Sequence, residues 1–206
     1  NLTLSPEVVG VANGLDVGVL EPSQWYAVYL ITSTVQGMPP AGLLSKNRQM
    51  PSLLPLGYES SKRVGWARTN NVLEFVPTAQ QGNGTRRQTI YVEPLPIQRT
   101  IIFTPDQIDN QRYETFTLSL VSPTCSSVTL QIEIQNYFNG NPVNVFLREP
   151  DAVFDVVHVV ANPFAVTLLT VEVPITDFYS PHQLRMALSM PGTALNTVTA
   201  TVRVQS

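Results

Sequence analysis

Polar and apolar residues alternate with a period of two along most of this chain. The clearest case is Val128–Ile134, and Thr115–Val121 shows the same alternation. Such a pattern puts one face of a strand in a core and the other in water. A turn at Pro123 separates the two segments. They are therefore predicted to pair as a β-hairpin.

Further strands are predicted where β-branched and aromatic residues cluster between turn residues. They are Gln24–Ile31, Arg63–Arg68, Val72–Val76, Gln88–Val92, Pro142–Leu147, Val153–Val160, Ala165–Val173, Leu184–Met190 and Val198–Val204. The 17 prolines are spread through the gaps and exclude long helices, and only Pro105–Gln111 is expected to form a helical turn. About a dozen short strands at this spacing predict an all-β fold, an antiparallel β-sandwich that is jelly-roll-like.

Two segments are apolar at nearly every position rather than at every second one. They are Val153–Val160 and Ala165–Val173. A strand of this kind is expected to be buried on both faces, or buried at a subunit interface.

Charged residues make up only 13% of the chain, and the formal net charge is -3. A basic face that attracts phosphates is therefore not expected, and neither is nucleic-acid binding. A polar surface with little charge is typical of extracellular and virion β proteins, or of a domain that packs against neighbouring subunits. No apolar run reaches the ~20 residues that cross a bilayer, so membrane insertion is not expected.

The domain organisation is predicted as one sandwich over residues 13–206, preceded by an extension or linker over residues 1–12. The first residue is Asn1 rather than a methionine, so the chain is expected to be cut from a longer protein.

Catalytic chemistry is not indicated, and the chain is predicted not to be an enzyme. His158 and His182 are the two imidazoles, and no G-x-S-x-G motif is present. The lone Cys125 cannot frame a zinc site, and Asp106–Asn110 favours a capped turn over a calcium loop. No metal and no cofactor are expected.

Aromatic residues beside amides and hydroxyls in loops are the best binding candidates, because sugars and protein interfaces both use exposed rings. The alternative is that these rings close the ends of the sandwich. The candidate ligand or receptor contacts are Tyr137, Phe138, Asn139, Asn141, Phe178 and Tyr179.

One run of motifs resembles a module of tailed-bacteriophage tail fibres and related virion proteins. Its order is a GLD-x-G turn, a WY-x-VY strand, an LLS strand, a P-x-GY turn and an R-x-G-x-x-RT strand. Here these are Gly14–Gly18, Trp25–Ile31, Leu43–Ser45, Pro55–Tyr58 and Arg63–Thr69. The loop over Lys46–Leu56 is bulkier than in that pattern.

The resemblance implies a β-sandwich, commonly trimeric, in a virion appendage or its attachment to a host. The expected partners are further copies of the chain, other virion proteins, and a glycan or protein of the host surface. Because Trp25–Ile31 is apolar on both faces, the second face is expected to be covered by a neighbouring subunit. Two alternatives stay open: a monomeric carbohydrate-binding module, and a jelly-roll coat subunit.

Overall fold

The computed structural model describes residues 3–83, 86–92, 97–137, 139–155, 157–175 and 182–205. The chain divides into two compact units, Asn1–Gln80 and Gln81–Ser206. Residues predicted as an N-terminal extension are part of the first unit, since the amide of Ser5 donates to the carbonyl of Asn13 at 2.7 Å. The sandwich strands begin at Ile97, later than the start of the sandwich predicted over 13–206.

The first unit is built on one antiparallel sheet of three strands. In the order β2-β1-β3, these are Ala41–Ser45, Trp25–Thr32 and Ser60–Arg68. The predicted strands Gln24–Ile31 and Arg63–Arg68 are confirmed, the second with three additional residues at its start.

Both faces of β1 are covered, as its sequence predicts. One face packs into a cluster that includes Trp25, Tyr29 and Trp66, in which the two indole rings meet edge to face. On the other face Tyr26 packs with Leu15 and Leu44 and is fully buried. The expected neighbouring subunit is not needed for this burial, because the N-terminal segment of the same chain supplies Leu15.

The GLD turn is held in place by its aspartate. Asp16 is buried, and its Oδ2 accepts hydrogen bonds from Ser45 Oγ at 2.6 Å and from the amide of Ser52 at 2.7 Å. Its Oδ1 accepts from the amide of Val17 at 2.7 Å. The turn also pairs with β2, since the amide of Asp16 donates to the carbonyl of Leu44 at 2.8 Å. Asp16 therefore joins two segments of the resemblance motif, the turn and the LLS strand, to the loop over Lys46–Leu56.

The predicted strand over Val72–Val76 does not form. Asn70 Oδ1 accepts hydrogen bonds from the amides of Val72 and Glu74, both at 2.9 Å, which closes a turn. A single bridge, Thr69 to Phe75, is all the pairing the segment makes. Local side-chain bonding of this kind offers the backbone an alternative to a sheet.

A two-stranded sheet follows, formed by β4 (Thr78–Asn83) and β5 (Arg86–Tyr91). After it come eight strands and one short helix, α1, which spans Pro105–Asp109. The strands are β6 Ile97–Phe103, β7 Glu114–Thr117, β8 Ser127–Asn136, β9 Val143–Arg148, β10 Val157–Ala161, β11 Ala165–Pro174, β12 Gln183–Ser189 and β13 Val198–Val204.

These eight strands have the topology of a jelly roll. One sheet has the order β11-β8-β13-β6 and the other the order β10-β9-β12-β7. The antiparallel pairs β6/β13, β7/β12, β8/β11 and β9/β10 describe a long double strand folded over on itself. Two sheets of four strands wound in this way are a jelly roll, so the predicted fold class is confirmed.

The predicted hairpin between Thr115–Val121 and Val128–Ile134 is wrong. β7 pairs with β12 in one sheet, while β8 pairs with β11 and β13 in the other. β7 also ends at Thr117, and a turn follows in which the amide of Val121 donates to the carbonyl of Leu118 at 3.1 Å. The alternation shows which side chains are buried in each strand, but not which strand is its neighbour.

The core between the sheets follows the predicted alternation of β8. Val128, Leu130, Ile132 and Ile134 are at most 1% exposed, and the residues between them are half-buried.

The segments predicted to be buried on both faces are exposed on one. Val153 and Phe154 are 81% and 83% exposed and precede β10. In β11 the inward residues reach full burial at Val173, while Leu168 on the outer face is 57% exposed. Burial on both faces is therefore wrong for the chain by itself.

Candidate functional site

Three connections gather at one end of the jelly roll. They are residues 139–142, 162–164 and 190–197, and the α1 connection, 104–113, is joined to them by hydrogen bonding. Asn136 Nδ2 donates to the carbonyls of Asn141 at 3.1 Å and Asn162 at 3.3 Å. Asp109 Oδ1 accepts from the amide of Ala194 at 2.7 Å. This end, called the loop end below, is thus held together by side-chain bonds to backbone.

Asn139 is central to the loop end. It is 2% exposed, and its Oδ1 accepts from the amides of Leu195 at 3.2 Å and Asn196 at 3.1 Å. Its Nδ2 donates to the carbonyl of Asn196 at 3.3 Å. Asn139 was predicted as a contact residue for a ligand, and the structure gives it a structural role between two loops.

The surface of the loop end carries exposed apolar side chains and little charge. Tyr137, Phe164 and Leu195 are 50%, 66% and 76% exposed, and Asn141 is exposed beside them. Tyr137 and Asn141 were predicted as contact residues, whereas Phe164 and Leu195 were not. Lone apolar residues in loops give no distinct sequence signal, which is why they were missed.

β11 runs away from the loop end and finishes at Pro174, where Ile175 donates its amide to the carbonyl of Ser126 at 2.9 Å. Phe138, Phe178 and Tyr179 lie outside the described residues.

Each histidine contacts neighbouring residues. His158 stacks on Phe146 with ring centroids 4.7 Å apart, and its Nε2 lies 3.3 Å from Asn144 Oδ1. His182 is buried, with Nε2 3.3 Å from the carbonyl oxygen of Ser122.

The carboxylates of α1, Asp106 and Asp109, lie in the capped turn that the sequence predicts. Thr104 is the N-cap, and its side chain and that of Gln107 form a capping box. Asp106 forms an ion pair with Arg112 at 3.1 Å. Within the described ranges, no three His, Cys, Asp or Glu side chains gather as a metal site. Likewise no helix there is long and apolar enough to cross a membrane.

A second feature lies on the outer face of the sheet β10-β9-β12-β7. Arg148 of β9 and Arg185 of β12 are directly opposite one another in the antiparallel register. The guanidinium carbon of Arg148 lies 3.7 Å from the ring centroid of Tyr113, and the Tyr113 hydroxyl donates to Asp155 Oδ1 at 2.6 Å. Burial and the bond to Asp155 raise the pKa of Tyr113 above its ordinary value, so the phenol keeps its proton.

The sequence analysis did not identify this arginine pair. The alternation of β9 and β12 places each arginine on an outer face, but the pairing of the two strands is non-local. Their register became visible only in the fold.

The first unit carries a shallow groove of about 440 Å³. It is lined by Pro6, Glu7, Val9, Val19, Leu20 and Leu73. The lining is mainly apolar.

No protein-family model matches the chain, and no curated protein sequence matches it. The solved structures with a distant likeness include three of one virus. The structures of infectious bursal disease virus strains Gt and Gx are each 12% identical, with TM-scores of 0.25 and 0.22. The aligned region covers 88% of this chain and 51% of the Gt chain, and 91% of this chain and 52% of the Gx chain. The VP2 subviral particle of the same virus has a TM-score of 0.23 at 12% identity, over 92% of this chain and 51% of its own. The chain thus spans about half the length of these proteins, and scores this low establish no common fold.

Proposed function

We propose that this chain is a non-enzymatic structural protein of a virion, which packs against further copies of itself and other virion proteins. Its jelly roll is an architecture that recurs in viral capsid and lectin domains. A surface with few charges suits a protein that buries much of that surface in an assembly.

The observation that carries the proposal is a set of exposed apolar side chains on the two edge strands at one side of the sandwich. Val160, Val166 and Leu168 are 52%, 45% and 57% exposed, and Phe164 lies between them in the chain. They belong to β10 and β11 and to their connection, and these two strands are the edges of the two sheets. This set, Val160, Phe164, Val166 and Leu168, is called the edge row below.

The edge row lacks the usual protection of an edge strand. Soluble monomers place charges or prolines on such edges, because a bare edge invites pairing with another chain. Residues 161–171 contain no charged residue, and β11 continues for ten residues with its proline only at the end. Burial of this row would contribute about 25 cal/mol for each Å² of apolar surface. The second copy of the chain is the partner that this proposal assigns to the row.

The finer part of the proposal comes from the resemblance of Gly14–Thr69 to a tail-fibre module. It implies a trimer in a virion appendage that presents a host-attachment surface in the extracellular particle. All those motifs fall within the first compact unit. A coat subunit is the alternative position, since the jelly roll is equally suited to a closed shell.

Light scattering on the chain in solution tests the proposal. A mass of three times 22.7 kDa is expected. Leu168→Lys places a charge in the edge row and should shift the mass to that of the monomer. The matched control is Leu56→Lys, at an exposed position (95%) of the first unit, which should leave the mass unchanged. A wild-type chain that stays monomeric up to high concentration would contradict the self-assembly.

A monomeric carbohydrate-binding module is the second candidate. The exposed ring of Tyr137 on the tied loop end favours it, because a ring on a rigid loop is suited to stacking on a sugar. A monomeric mass together with loss of glycan binding in Tyr137→Ala would support this candidate over the first.

A further inference from the structure

Two arginines that face each other across neighbouring strands need an explanation. Arg148 and Arg185 are register partners, and both are half-buried on the outer face of their sheet. Residues directly opposite in an antiparallel pair have Cβ atoms about 4.5–5.5 Å apart, and like charges there destabilise the sheet. Across the described residues, no carboxylate lies within 4.0 Å of either guanidinium.

The surroundings of the Arg148 guanidinium also indicate that a partner for it is missing. Nε of Arg148 is buried without a hydrogen-bond partner among the described residues, so the outer guanidinium nitrogens are the donors that a ligand can reach. A buried donor without a partner costs free energy, and more so when the group is charged. The Tyr113 ring under the guanidinium, and the bond from Tyr113 to Asp155, hold the arginine in this position. Arg148 is thus fixed in place with unused capacity to donate.

The neighbouring side chains suit a sugar ring. Phe146 precedes Arg148 by two positions on the same face of β9, and its ring stacks on His158 with 10° between the planes. Asn144 adds an amide beside this ring pair, and Thr115, the register partner of Arg185 on β7, is exposed. Flat rings contact the apolar face of a sugar, and arginine forks bind carboxylate and sulfate groups.

We propose that this outer face binds an acidic glycan, with Arg148 and Arg185 holding one carboxylate or sulfate group between them. The Phe146–His158 pair then packs against the sugar that carries the group. The bound anion relieves the repulsion between the two arginines and provides an acceptor for their free donors. This inference rests on the attachment function proposed above, for which it supplies the ligand class.

Calorimetric titration of the full chain tests the site with three probes at moderate salt. They are sialyllactose, which carries a carboxylate, a sulfated lactose, and neutral lactose. Saturable binding is expected for at least one acidic probe, with no binding of lactose. The two acidic probes show which anion the site prefers.

Arg185→Gln and Arg148→Gln should each weaken that binding about tenfold or more, since each removes charge-assisted hydrogen bonds. The matched control is Arg99→Gln, which changes the net charge equally at an exposed position of β6 in the other sheet. An equal loss of affinity in Arg99→Gln would overturn the proposal, because it would show nonspecific electrostatic attraction of the acidic probe.

Stability provides an independent readout for the same variants. If the two arginines are a ligand site, Arg185→Gln should unfold at the same or a higher denaturant concentration than the wild type. A clear loss of stability would make the pair structural and overturn the proposal. Binding of a short polyaspartate peptide as tightly as the acidic glycans would assign the site to a protein partner and also overturn it.

Light scattering on the same samples separates this inference from the proposed function. A trimer that binds neither acidic probe contradicts the glycan site alone. A monomer that binds an acidic probe through Arg148 and Arg185 contradicts the self-assembly alone.

Discussion

The two units cover their strands by different means. In the jelly roll, β8 buries every second residue against the opposite sheet and leaves polar residues outside. In the first unit, β1 is apolar on both faces, and an irregular N-terminal segment covers the second. One unit therefore depends on matched sheets, and the other on a segment without regular pairing.

The difference explains why the sheet of the first unit needs side-chain partners for the backbone beside it. An irregular segment against a sheet needs partners for its backbone groups, because buried amides and carbonyls must be hydrogen-bonded. Asp16 and Thr69 provide these partners in the first unit, where Thr69 Oγ1 donates to the carbonyl of Glu21 at 2.6 Å. The strands of the jelly roll satisfy one another through their ladders, and its buried Asn136 and Asn139 bond backbone groups at the loop end. A specific motif is therefore expected in the first unit, and only an alternating pattern in the second.

The largest effect is expected for Ile132→Ala in the core of the jelly roll. Ile132 is fully buried, so the lost contacts and the cavity should lower the free energy of unfolding by about 2–5 kcal/mol. Denaturant unfolding followed by far-ultraviolet circular dichroism measures this loss. Gln131→Ala, on the outer face of the same strand, should change it by less than about 0.5 kcal/mol. Similar losses for both variants would show that the alternation does not decide the stability of this unit.

The next effect is expected for Asp16→Ala in the first unit. It leaves the Ser45 hydroxyl and the Ser52 amide without their acceptor, which should cost about 1–3 kcal/mol. Tryptophan fluorescence reports this unit selectively, because the two tryptophans of the chain, Trp25 and Trp66, both lie in it.

Glu7→Gln is the control for Asp16→Ala, because it alters an exposed carboxylate of the same unit. An unchanged fluorescence transition in Asp16→Ala would contradict the view that the first unit depends on specific side-chain bonds.

The smallest effect is expected for Glu133 on the outer face of β8. Its pKa is lowered by the hydrogen bond from Gln135 and by Arg203, which lies 3.1 Å away. A carboxylate with a lowered pKa stabilises the fold above its ordinary pKa, and this contribution is lost as the pH falls through the lowered value. Glu133→Gln should cost less than about 1 kcal/mol at neutral pH, and the difference from the wild type should vanish in acid.

Denaturant midpoints between neutral pH and pH 3 measure this dependence. Glu172→Gln, at an exposed position of β11, is the control and should show no such dependence. A difference that persists unchanged in acid would contradict a role for the ionised carboxylate.

Much of the local structure could be predicted from the chain. The buried set of β8, the two apolar faces of β1 and the capped turn of α1 are confirmed, because each depends on neighbours within a few residues. Val72–Val76 was a wrong strand, since the side chain of Asn70 bonds the backbone locally and closes a turn.

The candidate sites were less predictable. Tyr137 and Asn141 are exposed at the loop end as expected, but the neighbouring Asn139 is buried and ties two loops together. An amide in a polar loop has the same sequence signature in either role. Its burial depends on a loop more than 50 residues further along the chain.

The residue pattern was enough to predict a sandwich of short strands, and to predict the inward side chains of those strands in which polar and apolar residues alternate. A period of two and its turn residues are local properties, and they survive in any arrangement of the strands. The fold was needed to show that β7 and β8 lie in different sheets, that the outer face of β11 is exposed, and that Arg148 faces Arg185. Each of these features depends on pairing between strands that are distant in the chain. Main-chain hydrogen bonds are the same for every partner strand, so the residues carry no signal of which strands pair.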